Sequence, residues 1–589
     1  MRPNRFHGWA IVLFAITLLA LFGCEKLEQD SPTGVDATIE NHDFGKGPLP
    51  SILISPPDIV VTTASDVADF DGAQQVGDLP GPDGVVSLRE AITAANNSAG
   101  PNVIGFNIPT SDAGFDGSLF TIQPHPEQLP ILGDDGTTID GASQTAFTGN
   151  TNAAGPEIFL DGNLIDPNAY SHGIGIGSAA NHIHGLAIGG FSIGVGIGGD
   201  RVNDNFITGC FVGLAPDGAT AHPNRMWGIS AANFISGIRI GGPTPEERNV
   251  LSGNDGYGIF FANYLQHGTI QNNYIGTDAS GLTALRNWSG IIITDHCQDV
   301  LIQDNVISGN LYKGIGLRLA HDIRIEGNLI GLDAQKNVLA GNQQQGIAAD
   351  GGQEVEVISR LAIGGAAPSQ SNLIVGNPQA GIVIGAQLTE SQITGNTITR
   401  NGTSGIHVYG SATANTLLIS RNLIHSNFGV GVSVLGPGSG YSISQNAIYA
   451  NDWLGIDLAV DYCCQDGVTP NDPGDGDTGP NNLMNFPVLT SAKATNGKLI
   501  VKGTIDTPNP RSVTIEFFAN PVPNPGGDPS GYGEGAIYLG SARPNPQGKF
   551  TATLPPVAPG TLITATATDA EGNTSEFALN LAAAGPGDK

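Results

Sequence analysis

Asparagines return through the middle of this chain at steps with a floor of about 24 residues, and that period constrains the fold more than any other feature. The segments "TIQNNYIGTD", "VLIQDNVISGN", "IRIEGNLIGLD", "SQITGNTITRN", "LLISRNLIHSN" and "YSISQNAIYAN" share one plan. Each has an apolar–x–apolar strand, an asparagine, a second short strand, and then glycine or asparagine. The repeated residues are Asn205, Asn249, Asn273, Asn305, Asn328, Asn372, Asn396, Asn422 and Asn446. A Gly-Ile pair follows most of them, at Gly258, Gly290, Gly314, Gly346, Gly381, Gly405 and Gly455. Such a unit holds about three short strands, too long for one hairpin and too short for a βαβ crossover. A parallel β-helix satisfies this pattern, each coil stacking on the last at about 4.8 Å. Its apolar residues point inward, and its asparagines form a hydrogen-bonded ladder at one turn, where they tolerate left-handed backbone. These asparagines are therefore read as structural.

One stretch departs from the pattern. In "VSLREAITAANN", Ser87 and Glu90 form a capping box, and Leu88, Ala91, Ile92 and Ala95 share a helical face. The first coil of a β-helix exposes unpaired backbone groups, and solenoids need terminal caps. The helix Leu88–Asn96 is expected to lie over that open end, with the first coils beginning at "NVIGFNIP" (102–109).

Composition narrows the partners. Lys and Arg total 24 against 54 Asp and Glu, a formal charge of −30. Nucleic acid is excluded, because phosphate binding needs a concentrated basic surface. The acidity also weighs against a polyanionic glycan unless calcium or a local basic patch intervenes. The 84 glycines follow no strict triplet and suit many tight turns.

Residues 1–23 read as a signal peptide: Arg2 and Arg5 precede an apolar run from Trp9 to Phe22 too short for an ordinary membrane span. "LLALFGC" resembles the lipobox of bacterial lipoproteins. The resemblance implies lipidation at Cys24 and an exported protein anchored at the cell surface, attached to the membrane through lipid alone. A plain signal peptide cut nearby is the alternative. Residues 24–57 read as a tether, 58–485 as the β-helix with its cap, 486–580 as a small antiparallel β-sandwich and 581–589 as a tail. The strands "KLIVKGTI", "SVTIEFFAN" and "KFTATLP" carry the sandwich assignment through their period of two. Cys210 and Cys297 read as small core residues. The pairing of Cys463 and Cys464 stays open.

"SLREAITAAN" closely resembles the CSLREA-type motif that opens many exported bacterial right-handed parallel β-helix proteins, with Val86 in place of that motif's Cys. "NYIGTDASGLTALRN", "GDGDTGPNNLMNFPVL", "GYGEG" and "DAEGNTSEF" are similar to segments of the same group. The resemblance runs from about residue 58 to 580 and implies a right-handed parallel β-helix. It implies no single chemistry.

Function must come from sites. "GLAPDGATAHPNRMWGI", "GTDASGLTALRNWSGI" and "GLDAQKNVLAGNQQQGI" enter at one turn, and loops inserted there would build a wall beside a flat sheet. Trp227 and Trp288 hold nearly matching places on two of them, suited to stacking on sugar faces or to packing the loops down. Counting ten residues back from the ladder gives Asn263, Asp295 and Arg318, and counting six gives His267, Asp299 and Asp322. His296 and His321 fall between, with Arg324 close by. By sequence count, titratable residues of both signs are expected to be densest here in the solenoid. Asp295, Asp299 and Asp322 could serve inverting glycoside hydrolysis. Arg318 and His321 could instead act on a uronate, as in polysaccharide lyases of similar shape. The chain lacks the Gly-His-Gly of the pectin-hydrolysing β-helix group. Alternatively these charges solvate the outer turns. Asp472, Asp475 and Asp477 offer oxygen ligands to calcium, the one cofactor suggested, or form a solvated turn. Two functions stand: a monomeric surface protein that binds and cleaves an extracellular polysaccharide, or a non-enzymatic adhesin or stalk facing a host or cell-surface component.

Overall fold

The computed structural model describes residues 55–585 apart from 71, 200–201, 340, 351–356, 411–413, 461–465, 496 and 521–528. Cys24, the signal segment, Cys463 and Cys464 lie outside the described residues. From His172–Ile176 onward, successive coils contribute a strand to each of three long parallel sheets. Tyr257–Ala262 lies in sheet C, Gln266–Gln271 in sheet A and Tyr274–Ile275 in sheet B, before Ser289–Ile293 returns to sheet C. Sheet A runs to 15 strands, sheet B to 12 and sheet C to 11. This is a right-handed parallel β-helix, as the period and the resemblance imply.

Isoleucine explains the coil's fidelity. Ile270, Ile302 and Ile325 stand in register in sheet A. Ile275, Ile307 and Ile330 do so in sheet B, and Ile259, Ile291 and Ile315 in sheet C. All nine are fully buried. Branching at Cβ leaves few rotamers to lose, so identical residues stack at low entropic cost.

The asparagine ladder forms from Asn249 to Asn446, each Nδ2 donating to the next Oδ1 at 2.8–3.0 Å. Asn205 is a correction. It lies before the sheet A strand Phe206–Thr208 and accepts from Asn181, while Cys210 occupies the ladder place and donates its N–H to Asn249. The reason expected for asparagine also needs revision. The left-handed residue is the one before it, as with Asn272, Asp304, Arg421 and Gln445. The ladder residue itself turns inward and satisfies backbone carbonyls, Asn273 donating to Ile240 and Gln271.

A second ladder runs along the turn between sheets B and C. Asn224, Asn254, Asn287, Asn310, Asn342, Asn377, Asn401, Asn427 and Asn451 connect at 2.9–3.1 Å. Insertions enter beside this turn, so its period is less regular in sequence than its geometry is in space.

Both ends of the solenoid are covered. The helix α1 (Leu88–Asn96) carries its expected capping box, Ser87 Oγ accepting from Glu90 N at 3.2 Å and Glu90 Oε2 from Ser87 N at 2.9 Å. Leu88, Ala91, Ile92 and Ala95 are fully buried beneath it. The coils begin earlier than expected, because Ile59–Val61 already pairs with Val103–Phe106. A strand ahead of the helix thus supplies sheet A's first edge, and α1 packs on it. At the far end, a three-stranded and a four-stranded antiparallel sheet enclose Leu499, Val501, Ile515, Phe517 and Ile563. Phe518 and Phe577 of this domain join the solenoid core.

Three glutamates of the C-terminal domain close the last coil, one near each sheet. Glu516 accepts from Gln445 N after the last sheet A strand at 3.0 Å. Glu534 accepts from Ala450 N and Asn451 N after sheet B at 2.7 and 2.8 Å. Glu576 accepts from Leu458 N in sheet C at 3.0 Å. These bonds satisfy backbone donors that the missing next coil would have taken.

Candidate functional site

The three inserted loops do form a wall. Residue pairs Leu214–Ala221, Thr277–Ala284 and Leu332–Val338 bridge as small hairpins. They stack through Ala279 N to Gly218 O at 2.8 Å and Ala334 N to Gly281 O at 3.0 Å. The wall closes over sheet B, burying Phe159, Phe211 and Val250 against Leu214, Ala279 and Leu285. It does not follow the expected placement beside an open groove, because outward aromatics on sheet B draw the loops down onto it.

Sheet C carries the aromatic surface. Phe260 lies between the inward Ile259 and Phe261 and so faces out. Trp227 stacks on Phe260 at 4.4 Å, and Tyr257 lies 5.7 Å from the same ring. Trp288 is 47% exposed and stacks on Tyr312 at 5.8 Å. The two tryptophans are offset by one residue, since Trp227 stands opposite Tyr257 and Tyr257 opposite Ser289. Lys313 reaches Asp350 in an ion pair and lies 5.5 Å from the Tyr312 ring centroid.

The titratable candidates lie elsewhere. His267, Asp299 and Asp322 stand in one register column on the outside of sheet A, as counted from the asparagines. Each adopts a left-handed backbone, and Arg360 and Glu390 continue the column. His267 pairs with Asp299, and Asp322 takes Arg360 with two bonds, one at 2.6 Å. Those hydrogen bonds, donated to the Asp322 carboxylate, raise the Arg360 pKa above its ordinary value. Arg324 reaches Glu326 at 3.5 Å.

The other column is displaced at one member. Asn263 and Asp295 align, but the next turn is one residue shorter, so Arg318 stands opposite Thr294 instead. Asp295 and His296 occupy the turn between sheets C and A, beyond the strand Ser289–Ile293. At about 3.3 Å per residue they are about 23–26 Å along the chain from Trp288. His296 stacks between Tyr264 at 5.1 Å and His321 at 6.1 Å, and Tyr264 stacks on Phe234 at 5.0 Å. Burial, then the neighbouring His296 and Arg360, lowers the His321 pKa. These rings mostly turn their faces to one another.

A second dense set of titratable groups was not expected. His182 and His184 both reach the Thr208 hydroxyl, at 2.7 and 2.9 Å, and Arg239 pairs with Glu247 at 3.0 Å. Burial, reinforced by His184 and Arg239, lowers His182 to about 3. Glu247 belongs to an insertion that covers this part of sheet A, and sequence counting does not show which strand an insertion folds over.

Asp472, Asp475 and Asp477 gather with one oxygen from each within 4.8 Å of the others, as a calcium site requires. Burial, with the adjacent carboxylates adding repulsion, raises Asp475 and Asp477. Oxygen-only donors fit calcium chemistry. Cys210 and Cys297 are free and buried, their thiols pushed up to about 12 by burial.

Residues 364–448 match the family model of the right-handed β-helix region. Among solved structures, the chain is similar to the A-module of the mannuronan C-5 epimerase AlgE4 of Azotobacter vinelandii, at 17% identity, 65% of this chain, 96% of that one and a TM-score of 0.41. The periplasmic alginate epimerase AlgG shares 13% identity over 58% of this chain and 76% of its own, at a TM-score of 0.32. An alginate lyase from Paenibacillus sp. shares 13% over 41% of this chain and 88% of its own, at 0.21. These likenesses are of fold. The three parallel sheets make the solenoid a right-handed parallel β-helix, and the family match falls within it at residues 364–448.

Proposed function

We propose that this is an exported protein, held at the cell surface through a lipidated Cys24, that binds an extracellular polysaccharide on the aromatic surface of sheet C. One observation carries the reading: Trp227 on Phe260 and Trp288 on Tyr312 place two ring pairs at the same edge of one flat sheet. Aromatic rings beside a flat surface pack on the apolar faces of sugars. Binding without cleavage is the version this geometry favours. Asp299 and Asp322 are engaged by His267 and Arg360 on sheet A, away from the tryptophans. Calcium at Asp472, Asp475 and Asp477 would tie down the loop that follows the last coil.

The test is titration calorimetry of the intact protein against a panel of soluble polysaccharides, with assays for reducing ends and for unsaturated products. Binding by the native chain and its loss in Trp288→Ala are expected, with no product formed. Absence of binding across the panel would return the protein to the adhesin or stalk alternative.

A further inference from the structure

We infer that the polysaccharide is uncharged and lies parallel to the solenoid axis, along a column of residues from Trp288 to Trp453 at the leading edge of sheet C. The inference rests on the polysaccharide-binding reading above and names the ligand class and its path. The column is continuous in backbone register. Gln344 N donates to Tyr312 O at 3.0 Å and Gln379 N to Gln344 O at 3.0 Å. Thr403 N donates to Gln379 O at 3.3 Å, the pairing of Ile406 with Val432 sets Thr403 opposite Gly429, and Trp453 N donates to Gly429 O at 3.2 Å. Trp288 joins at the other end by stacking on Tyr312.

Six coil steps at about 4.8 Å give a path of about 29 Å, long enough for several sugar units. Both ends are aromatic and exposed, Trp288 at 47% and Trp453 at 51%. Between them lie Tyr312, the amides of Gln344 and Gln379, the hydroxyl of Thr403, and Gly429, which has no side chain. Gln379 uses its carbonyl oxygen to accept from Gln345, which leaves its NH2 available. Amides and hydroxyls both donate and accept, so they match sugar hydroxyls at any orientation, whereas they do not neutralise a carboxylate.

The surrounding charge excludes a polyuronate. Lys313 is committed to Asp350, and exposed carboxylates at Asp255 and Asp452 stand near the two ends. Arg286, two residues before Trp288, is an exposed cation beside the column. A polymer with one negative charge per sugar would need a row of cations, and the chain as a whole carries −30. An uncharged polymer meets none of this repulsion.

The intact protein is titrated with neutral polymers (glucomannan, xylan, β-glucan) and with polyuronates (alginate, polygalacturonate). The expected result is binding to at least one neutral polymer, unchanged between about 50 and about 500 mM NaCl. Trp453→Ala and Trp288→Ala should each weaken it about tenfold or more, and Gln379→Ala several-fold, while Phe234→Ala on the opposite turn leaves it unchanged. Tighter, salt-sensitive binding of a polyuronate would overturn the ligand class while leaving the polysaccharide-binding reading intact. Neutral binding that survives Trp453→Ala would overturn the path. No binding to any polymer would remove the reading on which the inference stands.

Discussion

Asn451 donates its side-chain amide to Glu534 at 3.1 Å, and with that bond the second asparagine ladder passes out of the solenoid into the C-terminal domain. Glu534 is fully buried and also accepts from the Ala450 and Asn451 backbone amides. It stands where the asparagine of a further coil would stand.

Glu534→Ala should therefore loosen the junction. The Ala450 and Asn451 backbone donors would lose their acceptor, each costing about 1–3 kcal/mol when buried, while Asn451 Nδ2 keeps Ile424 O and Tyr449 O. The expected loss is about 2 kcal/mol or more of local stability, read as faster hydrogen exchange at Ala450 and Asn451 with little change near α1. Glu534→Gln keeps one acceptor oxygen and should lose less. Protection unchanged in Glu534→Ala would show that the last coil is closed by packing alone.

Within the first ladder, Asn305 donates to Ile270, Gln303 and Asn328 and accepts twice from Asn273. Asn305→Ala leaves buried donors and acceptors unmatched on three coils. A loss of about 3 kcal/mol or more is expected in denaturant unfolding, against within about 0.5 kcal/mol for the exposed Gln335→Ala. Equal effects would mean that the isoleucine stacks alone hold the register.

How much of this was legible in the sequence follows from which contacts are periodic. The solenoid and the His267–Asp299–Asp322 column are legible because backbone register repeats with the asparagines, and the capping helix because Ser87 and Glu90 mark its start locally. Arg318 slipped because one turn is a residue shorter, which no count from a distant asparagine detects. The wall was foreseen but its direction was not, since that depended on Phe159, Phe211 and Val250 facing out of sheet B. "DAEGNTSEF" was recognised only by resemblance. Its work is contact between distant segments: Asn573 and Thr574 accept from Gly440 and Ile443, and Glu576 from Leu458.

The same junction should respond to pH. Burial, with Asp466 adding repulsion, pushes Asp457 up to about 7. Burial pushes Glu576 up to about 8, with the Leu458 and Thr469 amides pulling the other way. Unfolded, these groups titrate near about 4. Folded protein thus binds protons that unfolded chain releases, so the stabilisation is full below about pH 4 and is lost as pH rises through about 7 to 8. The melting temperature should fall between pH 5 and pH 8.5, and Asp457→Asn should flatten that fall. An identical slope in the variant would assign it to the general surface charge.

Calcium should act on the neighbouring loop. With Asp472, Asp475 and Asp477 converging, millimolar calcium is expected to raise the melting temperature by a few degrees, and chelator to reverse it. Asp475→Asn should abolish the effect. Because Asp475 also accepts from Asn485 N at 2.7 Å, the variant's own stability without calcium must be compared first. A calcium effect that persists in Asp475→Asn would place the ion elsewhere.

The sheet A column separates binding from cleavage. Asp322 is held by Arg360, which also approaches Glu390 at 4.0 Å, and Asp299 is held by His267. Such partly exposed pairs contribute about 0–1 kcal/mol each and asparagine tolerates the left-handed backbone, so Asp322→Asn and Asp299→Asn should leave folding nearly unchanged. If the column only solvates the outer surface, both variants bind polysaccharide as the native chain does, and neither alters product formation, because none occurs. A cleavage role predicts the opposite pattern: products from the native protein, retained binding in the variants, and a drop in turnover of about a hundredfold or more when either carboxylate is removed. The two outcomes differ in the native protein alone, before any variant is made, which makes product release from native protein the first measurement to take.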